Sequence, residues 1–245
     1  MGRLLVVSGP SCSGKTPLME AMKRFYPELM AGMKPLVLHN SRSPRPGELD
    51  GVHYHFRSRE EIERLRRRDS YLVMDVRGDL QALDMRVFQG TDSSYFFEGN
   101  PFIGAAVMDA AVSRETEKLG VFISPMSGGE ISWLQRMGAD VKSILTRMVE
   151  DRLLRRAEAL GMETTDRFLR NVRIRSGSAW QELGYAGKFQ WVIPNRSGED
   201  SPCWNRYDYP VGEALETAEA LAGIMAGGRP EKAEVWDTRF PGITP

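Results

Sequence analysis

An α/β fold with a mostly parallel sheet flanked by helices is predicted by three features of the sequence. Short apolar runs bounded by turn residues recur along the chain: "LLVVS" at 4–8, "PLVLH" at 35–39, "GVFISP" at 120–125 and "FQWVIPN" at 189–195. Helical stretches separate these runs, and strands alternating with helices build parallel sheets. The first run leads straight into "GPSCSGKT", residues 9–16. Strand, glycine-rich loop and helix therefore follow one another, the order of a P-loop NTPase core.

The elements follow in order. Residues 3–8 read as a buried strand and Lys15 to Phe25 as the helix after the loop. A second strand is expected at 35–39. The segment "NSRSPRPGELDG" is turn-rich. Ser58-Arg59-Glu60-Glu61 is a capping-box pattern that opens a short charged helix. Strands are expected at 70–76 and 94–98, a helix at 102–118 and a strand at 120–125. A long helical stretch spans 128–182, with a break at 160–166. A last strand at 189–195 and an Ala-rich helix at 211–226 complete the domain. The Gly- and Pro-containing tail, 227–245, is expected to wrap the surface or fray.

Composition narrows the function classes. The 33 Lys and Arg residues balance 33 Asp and Glu residues, which argues against a broad nucleic-acid surface but leaves room for local basic pockets. The two cysteines, Cys12 and Cys203, have no metal-like spacing, so neither zinc nor a disulfide framework is expected. "MGRLLVVSGP" is too short for a signal peptide, and no apolar run reaches the roughly 18 residues of a membrane span. A cytoplasmic protein without membrane contact is expected.

The loop carries the first chemistry. Gly9, Gly14, Lys15 and Thr16 complete the pattern G-x-x-x-x-G-K-[ST]. Its glycines let backbone N–H groups turn toward phosphate oxygens, its lysine puts a charge on the transferring phosphate, and its threonine hydroxyl holds Mg²⁺. The nucleotide-binding set is Gly9, Ser11, Ser13, Gly14, Lys15, Thr16 and Pro17, with Thr16 on the metal and Lys15 catalytic. The second constellation is Arg42 and Arg45, three apart in a loop stiffened by Pro44 and Pro46, with Tyr54 following. Arginine offers a fixed fork of donors for phosphate. Spacing alone leaves two readings open, a phosphate clamp and an exposed basic loop.

"GPSCSGKT" followed by "SRSPRPGELDGVHYHFRSREE" resembles the guanylate kinase family. "VFISPMS" and "ELGYAGKFQWVIPN" are similar to later segments of that family, in the same order, so the resemblance spans about residues 3–225. It implies a single nucleoside monophosphate kinase domain over 1–226, with an acceptor-binding region at about 35–92 and a lid at about 152–175. It implies transfer of the γ-phosphoryl of ATP·Mg²⁺ to a small nucleotide acceptor. Arg42, Arg45 and Tyr54 would grip the acceptor phosphate, and Glu48 would brace their loop.

The base-reading part departs from the family. Family members carry a glutamate and a Ser/Thr that read guanine and a Tyr-Tyr-Gly stretch; here the segment is "YLVMDVRGDLQALD", residues 71–84. Val73 falls where the glutamate is expected, with Asp75 nearby. In "FFEGNPFIG" Glu98 keeps one acid of the next landmark and Asn100 replaces the second, presenting both a donor and an acceptor. Extra sequence, "MRVFQGTDSS", lies between the two. Asp75, Glu98 and Asn100 join the substrate-binding set, with Asp75 or Glu98 also organising Mg²⁺ through water. The expected acceptor is GMP- or dGMP-like, or a modified nucleotide. A phosphorylated sugar or a hydroxyl on a modified base in DNA is the alternative, and a non-catalytic interaction module is the second. In the lid, Arg152, Arg156, Arg170 and Arg173 are candidates to close over donor phosphates, with Arg156 and Arg170 taken as catalytic. His53 and His55 are read as structural, and Trp180, Trp191 and Trp204 as packing residues. The oligomeric state is not legible.

Overall fold

The computed structural model describes residues 2–44, 47–89, 93–111, 116–240 and 242. The chain divides into two compact units. The first comprises Met1–Leu4, Met33–Phe96 and Ala110–Glu117, and the second Leu5–Gly32, Phe97–Asp109 and Lys118–Pro245.

The central sheet is mostly parallel and flanked by helices. Its strands are β1 (Arg3–Ser8), β2 (Met33–Pro35), β7 (Ser94–Gly99), β8 (Glu117–Ser124) and β9 (Trp191–Pro194), in the order β2-β7-β1-β8-β9. β2 runs parallel to β7, and β8 runs parallel to β9. Leu4, Leu5, Val6 and Val7 of β1 and Val121, Phe122 and Ile123 of β8 are wholly buried. These continuous apolar runs are what a parallel sheet covered on both faces requires.

In the second unit, α1 (Lys15–Phe25) and α2 (Pro27–Met30) follow the loop, and α4 (Pro101–Asp109) follows β7. α5 (Gly128–Arg136) opens on a capping box between Ser127 and Glu130. α6 (Val141–Ala159) is capped by Asp140 and α7 (Asp166–Gly177) by Thr165. α8 (Ala179–Leu183) precedes β9, and α9 (Glu213–Met225) buries its small face through Ala214, Ala218 and Leu221.

The first unit carries a second sheet, β4-β3-β6-β5, from β3 (His39–Asn40), β4 (His55–Phe56), β5 (Tyr71–Val76) and β6 (Asp79–Asp84). α3 (Arg59–Leu65) starts at the predicted capping box, with Ser58 and Glu61 satisfying each other's backbone N–H groups. Ile62 of α3 packs on Val73, Leu80 and Ala82, with Leu65 and Tyr71 around them. That assigns one face of the sheet to α3.

Several elements differ from expectation. The strand expected at 35–39 is divided between two sheets. Leu36 N–H still donates to Phe96 O, after which the chain leaves β7 and His39 pairs with β6. β6 was not expected. It forms a hairpin with β5 through Arg77 and Gly78, whose φ values of 59° and 90° suit the tight two-residue turn. The helix expected at 102–118 ends at Asp109. Glu117 instead donates its N–H to Gly2 O and pairs its side chain with Arg3, so strand pairing overrides helical propensity. The long helical stretch is interrupted at 137–140 as well as at 160–165, because Gly138 adopts a φ of 72°. Of the two alternatives for the tail, wrapping and fraying, its described part up to Phe240 takes the first: Glu234 exchanges backbone hydrogen bonds with Val192, and Trp236 is buried beside Phe240.

His39 bears on the acid stability of the first unit. Its ring lies 5.0 Å from that of His55 and 5.9 Å from that of Tyr71. Burial first, then the charges of His55 and Arg57, push His39 below its ordinary value of 6.5, against smaller opposing effects of Asp84 and Asp50. The unfolded chain then takes up a proton near pH 6.5 that the folded chain refuses, so this stability is present above that pH and lost as pH falls. His39→Phe is expected to flatten the decline in thermal midpoint between pH 7.5 and 5 by roughly 2 °C; an unchanged slope in scanning calorimetry contradicts this account.

Candidate active site

The half expected to serve the donor lies in the second unit, between β1 and α1. Gly9 has no room for a Cβ, which would collide with Ile123 O. Cys12 takes a φ of 57° as the loop curls, and Gly14 follows at 86°. Lys15 is buried against its own loop: Nζ donates to Pro10 O at 2.6 Å and to Ser13 Oγ at 3.2 Å. Thr16 Oγ1 donates to Glu98 Oε1 at 2.7 Å. Pro17 follows in the first helical turn, where its missing N–H costs nothing. Burial pushes the Glu98 carboxyl above its ordinary value, against the Thr16 hydrogen bond and the Lys15 charge. A hydroxyl and a carboxylate side by side form a hard-oxygen pair suited to Mg²⁺, which keeps most of its own waters. Thr16 and Glu98 are thus the residues that would hold the ion. Glu98 belongs to this half, beside the loop.

Two groups that sequence reasoning missed shape the loop. Asn195, fully buried at the end of β9, donates through Nδ2 to Ser13 O and Ser197 O, each at 2.8 Å. Arg175 of α7 donates Nε to Ser11 Oγ at 3.1 Å. One arginine among the many in 152–175 is thereby singled out, and no spacing rule distinguishes it from its neighbours. Arg152, a candidate for closing on phosphates, is 5% exposed and donates to Cys12 O at 3.1 Å and Arg196 O at 2.8 Å. It straps the loop to the segment after β9. Arg156 lies close enough to act electrostatically on Cys12, as do Lys15 and Arg175. Burial outweighs these cations and pushes the Cys12 thiol up, so it stays protonated and unreactive. Arg170 and Arg173 are exposed on α7.

The half expected to serve the acceptor lies in the first unit. Arg42 forms a fork with Glu48, NH1 to Oε2 and NH2 to Oε1, both at 2.6 Å. Its guanidinium stands 5.1 Å from the Tyr54 ring and 5.4 Å from the Phe56 ring. Glu48 raises the Arg42 pKa above its ordinary value against the effect of burial. Glu48, the residue expected to brace this loop, thus pairs with Arg42, and Tyr54 lies beside the Arg42 guanidinium through its ring. Arg45 lies outside the described residues. Register identifies what else shares this surface. Phe56 is the partner of Asn40, and Asn40 of Gln81, which in turn faces Met74. Cross-strand partners share a face, so Gln81 and Met74 stand on the Arg42 side, opposite α3. Asp79, on the same face of β6, also acts electrostatically on Arg42.

The candidates Asp75 and Asn100, like Val73 and His53, have local duties. Val73 is in the core beneath α3. Asp75 accepts from Gly78 N–H at 2.8 Å and pairs with Arg59 at 3.3 Å, closing the hairpin. Asn100 Oδ1 accepts from Phe102 N–H at 2.8 Å and so caps α4; its Nδ2 lies 3.4 Å from Oε1 of the buried Glu182. His53 Nδ1 accepts from Leu49 N–H at 3.0 Å. Among the described residues, no cluster of three or more His, Cys, Asp or Glu is positioned for a metal ion, and no helix is long and apolar enough to cross a membrane.

Residues 1–77 match the family model described as "Guanylate kinase". The guanylate kinase of Shewanella oneidensis is 33% identical over 154 residues, 61% of this chain and 72% of that protein. That of Desulfitobacterium hafniense is 30% identical over 194 residues, covering 79% and 82%. The crystal structure of guanylate kinase from Anaplasma phagocytophilum superposes with a TM-score of 0.51 at 18% identity, over 92% of this chain and 85% of that one. At that identity the likeness concerns the fold.

Arg152→Met separates strapping from catalysis. It leaves Cys12 O and Arg196 O without their buried donor, and a loss of about 3 kcal/mol is expected in urea unfolding. Unaltered stability with impaired turnover would place Arg152 among the catalytic groups instead.

Proposed function

We propose that this chain, which belongs to the guanylate kinase family and is a P-loop nucleoside monophosphate kinase, transfers the γ-phosphoryl group of ATP to GMP or dGMP. The observation that carries the reading is the intact donor loop, with Lys15 buried in it and Thr16 paired with Glu98. When bound there, Mg²⁺ neutralises phosphate charge. Lys15 and Arg175 add positive charge around the transferring group, in a site where fixed charges stabilise more than they do in water. The acceptor's own phosphate oxygen is the nucleophile, so no strong general base is needed. The Arg42 fork and the Tyr54 side chain support an acceptor phosphate in the first unit, and the base then lies over Gln81 and Met74.

A different base is the second reading, favoured by one observation. Val73 is in the core, Asp75 closes a turn and Asn100 caps a helix, so the first unit offers the base an amide, Gln81, in place of a carboxylate. A polynucleotide acceptor and a non-catalytic module gain no support from the relatives, which are named as guanylate kinases.

A coupled ATP-consumption assay against all ribo- and deoxynucleoside monophosphates tests the proposal. GMP and dGMP are expected to be the best acceptors. Lys15→Ala is expected to lower kcat by about 100-fold or more. Arg175→Ala is expected to lower kcat well beyond Arg170→Ala. Gln81→Ala is expected to raise the acceptor KM by about tenfold with little change in kcat, since an amide contact to a base is made in ground and transition state alike. Preference for another base assigns the site to the second reading, and inertness toward every monophosphate rejects both.

A further inference from the structure

Phosphoryl transfer does not call for a carboxylate in the phosphate loop, yet Glu199 Oε2 accepts a hydrogen bond from Gly14 N–H at 3.0 Å. Inward N–H groups of such a loop are where phosphate oxygens sit. The charge of Glu199 is felt by both the Cys12 thiol and the Glu98 carboxyl. Its carboxylate is therefore among the loop's own groups, in company with Lys15, Arg156 and Arg175, which act on the same thiol.

The segment that carries Glu199 is fixed on both sides of it. Before it, Asn195 is hydrogen-bonded to the loop and Arg196 O accepts from Arg152. After it, Asp200 pairs with Arg155 at 2.8 Å, and Trp204 Nε1 donates to Ser197 O at 3.0 Å and Gly198 O at 2.9 Å. The packing is close: a Cβ on Gly14 would strike Ser197 O, and one on Gly198 would come within 2.8 Å of Cys12 O. Glu199 itself is only half-buried, so its side chain has a route to solvent while its neighbours stay in place.

We propose that Glu199 occupies the donor-phosphate seat as an internal counter-anion, an autoinhibitory contact that Mg·ATP must displace in order to bind. The inference rests on the donor-site reading above. A cluster of N–H donors and cations, Lys15 buried and Arg156 and Arg175 half-buried, is costly without an anion, and the carboxylate offsets that cost while the seat holds no nucleotide. An incoming polyphosphate brings more charge and more acceptor oxygens, and expels Glu199 by like-charge repulsion. A carboxylate that instead helped to bind the donor, by holding the waters of Mg²⁺, would have the opposite effect on affinity.

Equilibrium titration of the full chain with Mg·ATP and with inorganic pyrophosphate distinguishes these roles. Glu199→Gln and Glu199→Ala are each expected to bind both ligands about five- to tenfold more tightly than wild type, with the acceptor KM unchanged. Glu199→Gln keeps the side chain's volume, so a folding defect in the alanine variant leaves the test standing. Unchanged or weaker binding overturns the proposal, as does a gain confined to ATP, because a seat freed for phosphate must serve pyrophosphate too. Wild-type ATP binding that Lys15→Ala abolishes keeps the donor site intact whatever the Glu199 variants do. No ATP binding by wild type or variants rejects the donor site and the counter-anion together.

Discussion

The shape of the phosphate loop depends on one buried amide. Asn195 is wholly enclosed, and its side chain donates to Ser13 O and Ser197 O while accepting from Ser197 N–H and from the Thr217 hydroxyl. Two donors and two acceptor lone pairs are all that the group possesses. Together these four bonds join Asn195, directly after β9, to the loop at Ser13, to the following segment at Ser197 and to α9 at Thr217. Arg152 adds a second strap at Cys12 O. With the loop carbonyls held in this way, Lys15 folds back onto Pro10 O, and the N–H of Gly14 is left to meet an anion, the carboxylate of Glu199. A half-satisfied network at this depth would be worse than an apolar one; this one is complete at Asn195.

The first unit solves a different problem with the same economy of charge. Arg42 lies over two aromatic rings and is partly buried, which alone would disfavour its charge. The Glu48 fork cancels that penalty and fixes the guanidinium plane. The sheet beneath divides the labour by parity. Ala82, Leu80 and Val73 turn toward Ile62 and make the core, and Asn40, Gln81 and Met74 turn toward Arg42. A one-residue slip in register would exchange the two faces, so the apolar core under α3 also sets which residues can meet a ligand.

What was legible in the sequence was local chemistry. The phosphate loop, the Ser58 capping box and the paired arginines carry their meaning in adjacent residues, and the loop and the box stand where they were expected. The β5–β6 hairpin was not legible because its turn, Arg77-Gly78, is a weaker signal than Asn-Gly, and because Arg77 takes a left-handed conformation that few arginines adopt. The strand at 35–39 was half right: the apolar pattern is real, but Leu36 and Leu38 are buried where the chain passes between sheets. Val73 was placed by comparison with a glutamate, and only pairing register reveals that it faces α3. Arg175, Asn195 and Glu199 reach the loop from 164, 182 and 185 residues away respectively, and no spacing rule operates over such separations.

The zero net charge of the chain acquires a physical meaning from these contacts. Several donor groups have a carboxylate partner: Arg42 has Glu48, the Gly14 N–H has Glu199, and Arg196 has both Glu130 and Glu213. A protein that must hold several phosphates has two ways to remain stable without them. It can leave cations in solvent on mobile side chains, or it can neutralise them internally with groups that give way. The first costs ordering entropy when the ligand arrives; the second keeps the donors in place and exchanges one anion for another. At Arg42, Glu48 holds the fork while the ring-facing side remains beside Tyr54 and Phe56. At Gly14 the contact is a single hydrogen bond to a half-buried side chain, so it yields more readily. The two contacts therefore differ in kind: Glu48 braces Arg42 through a two-bond fork, whereas Glu199 meets the Gly14 N–H through a single hydrogen bond.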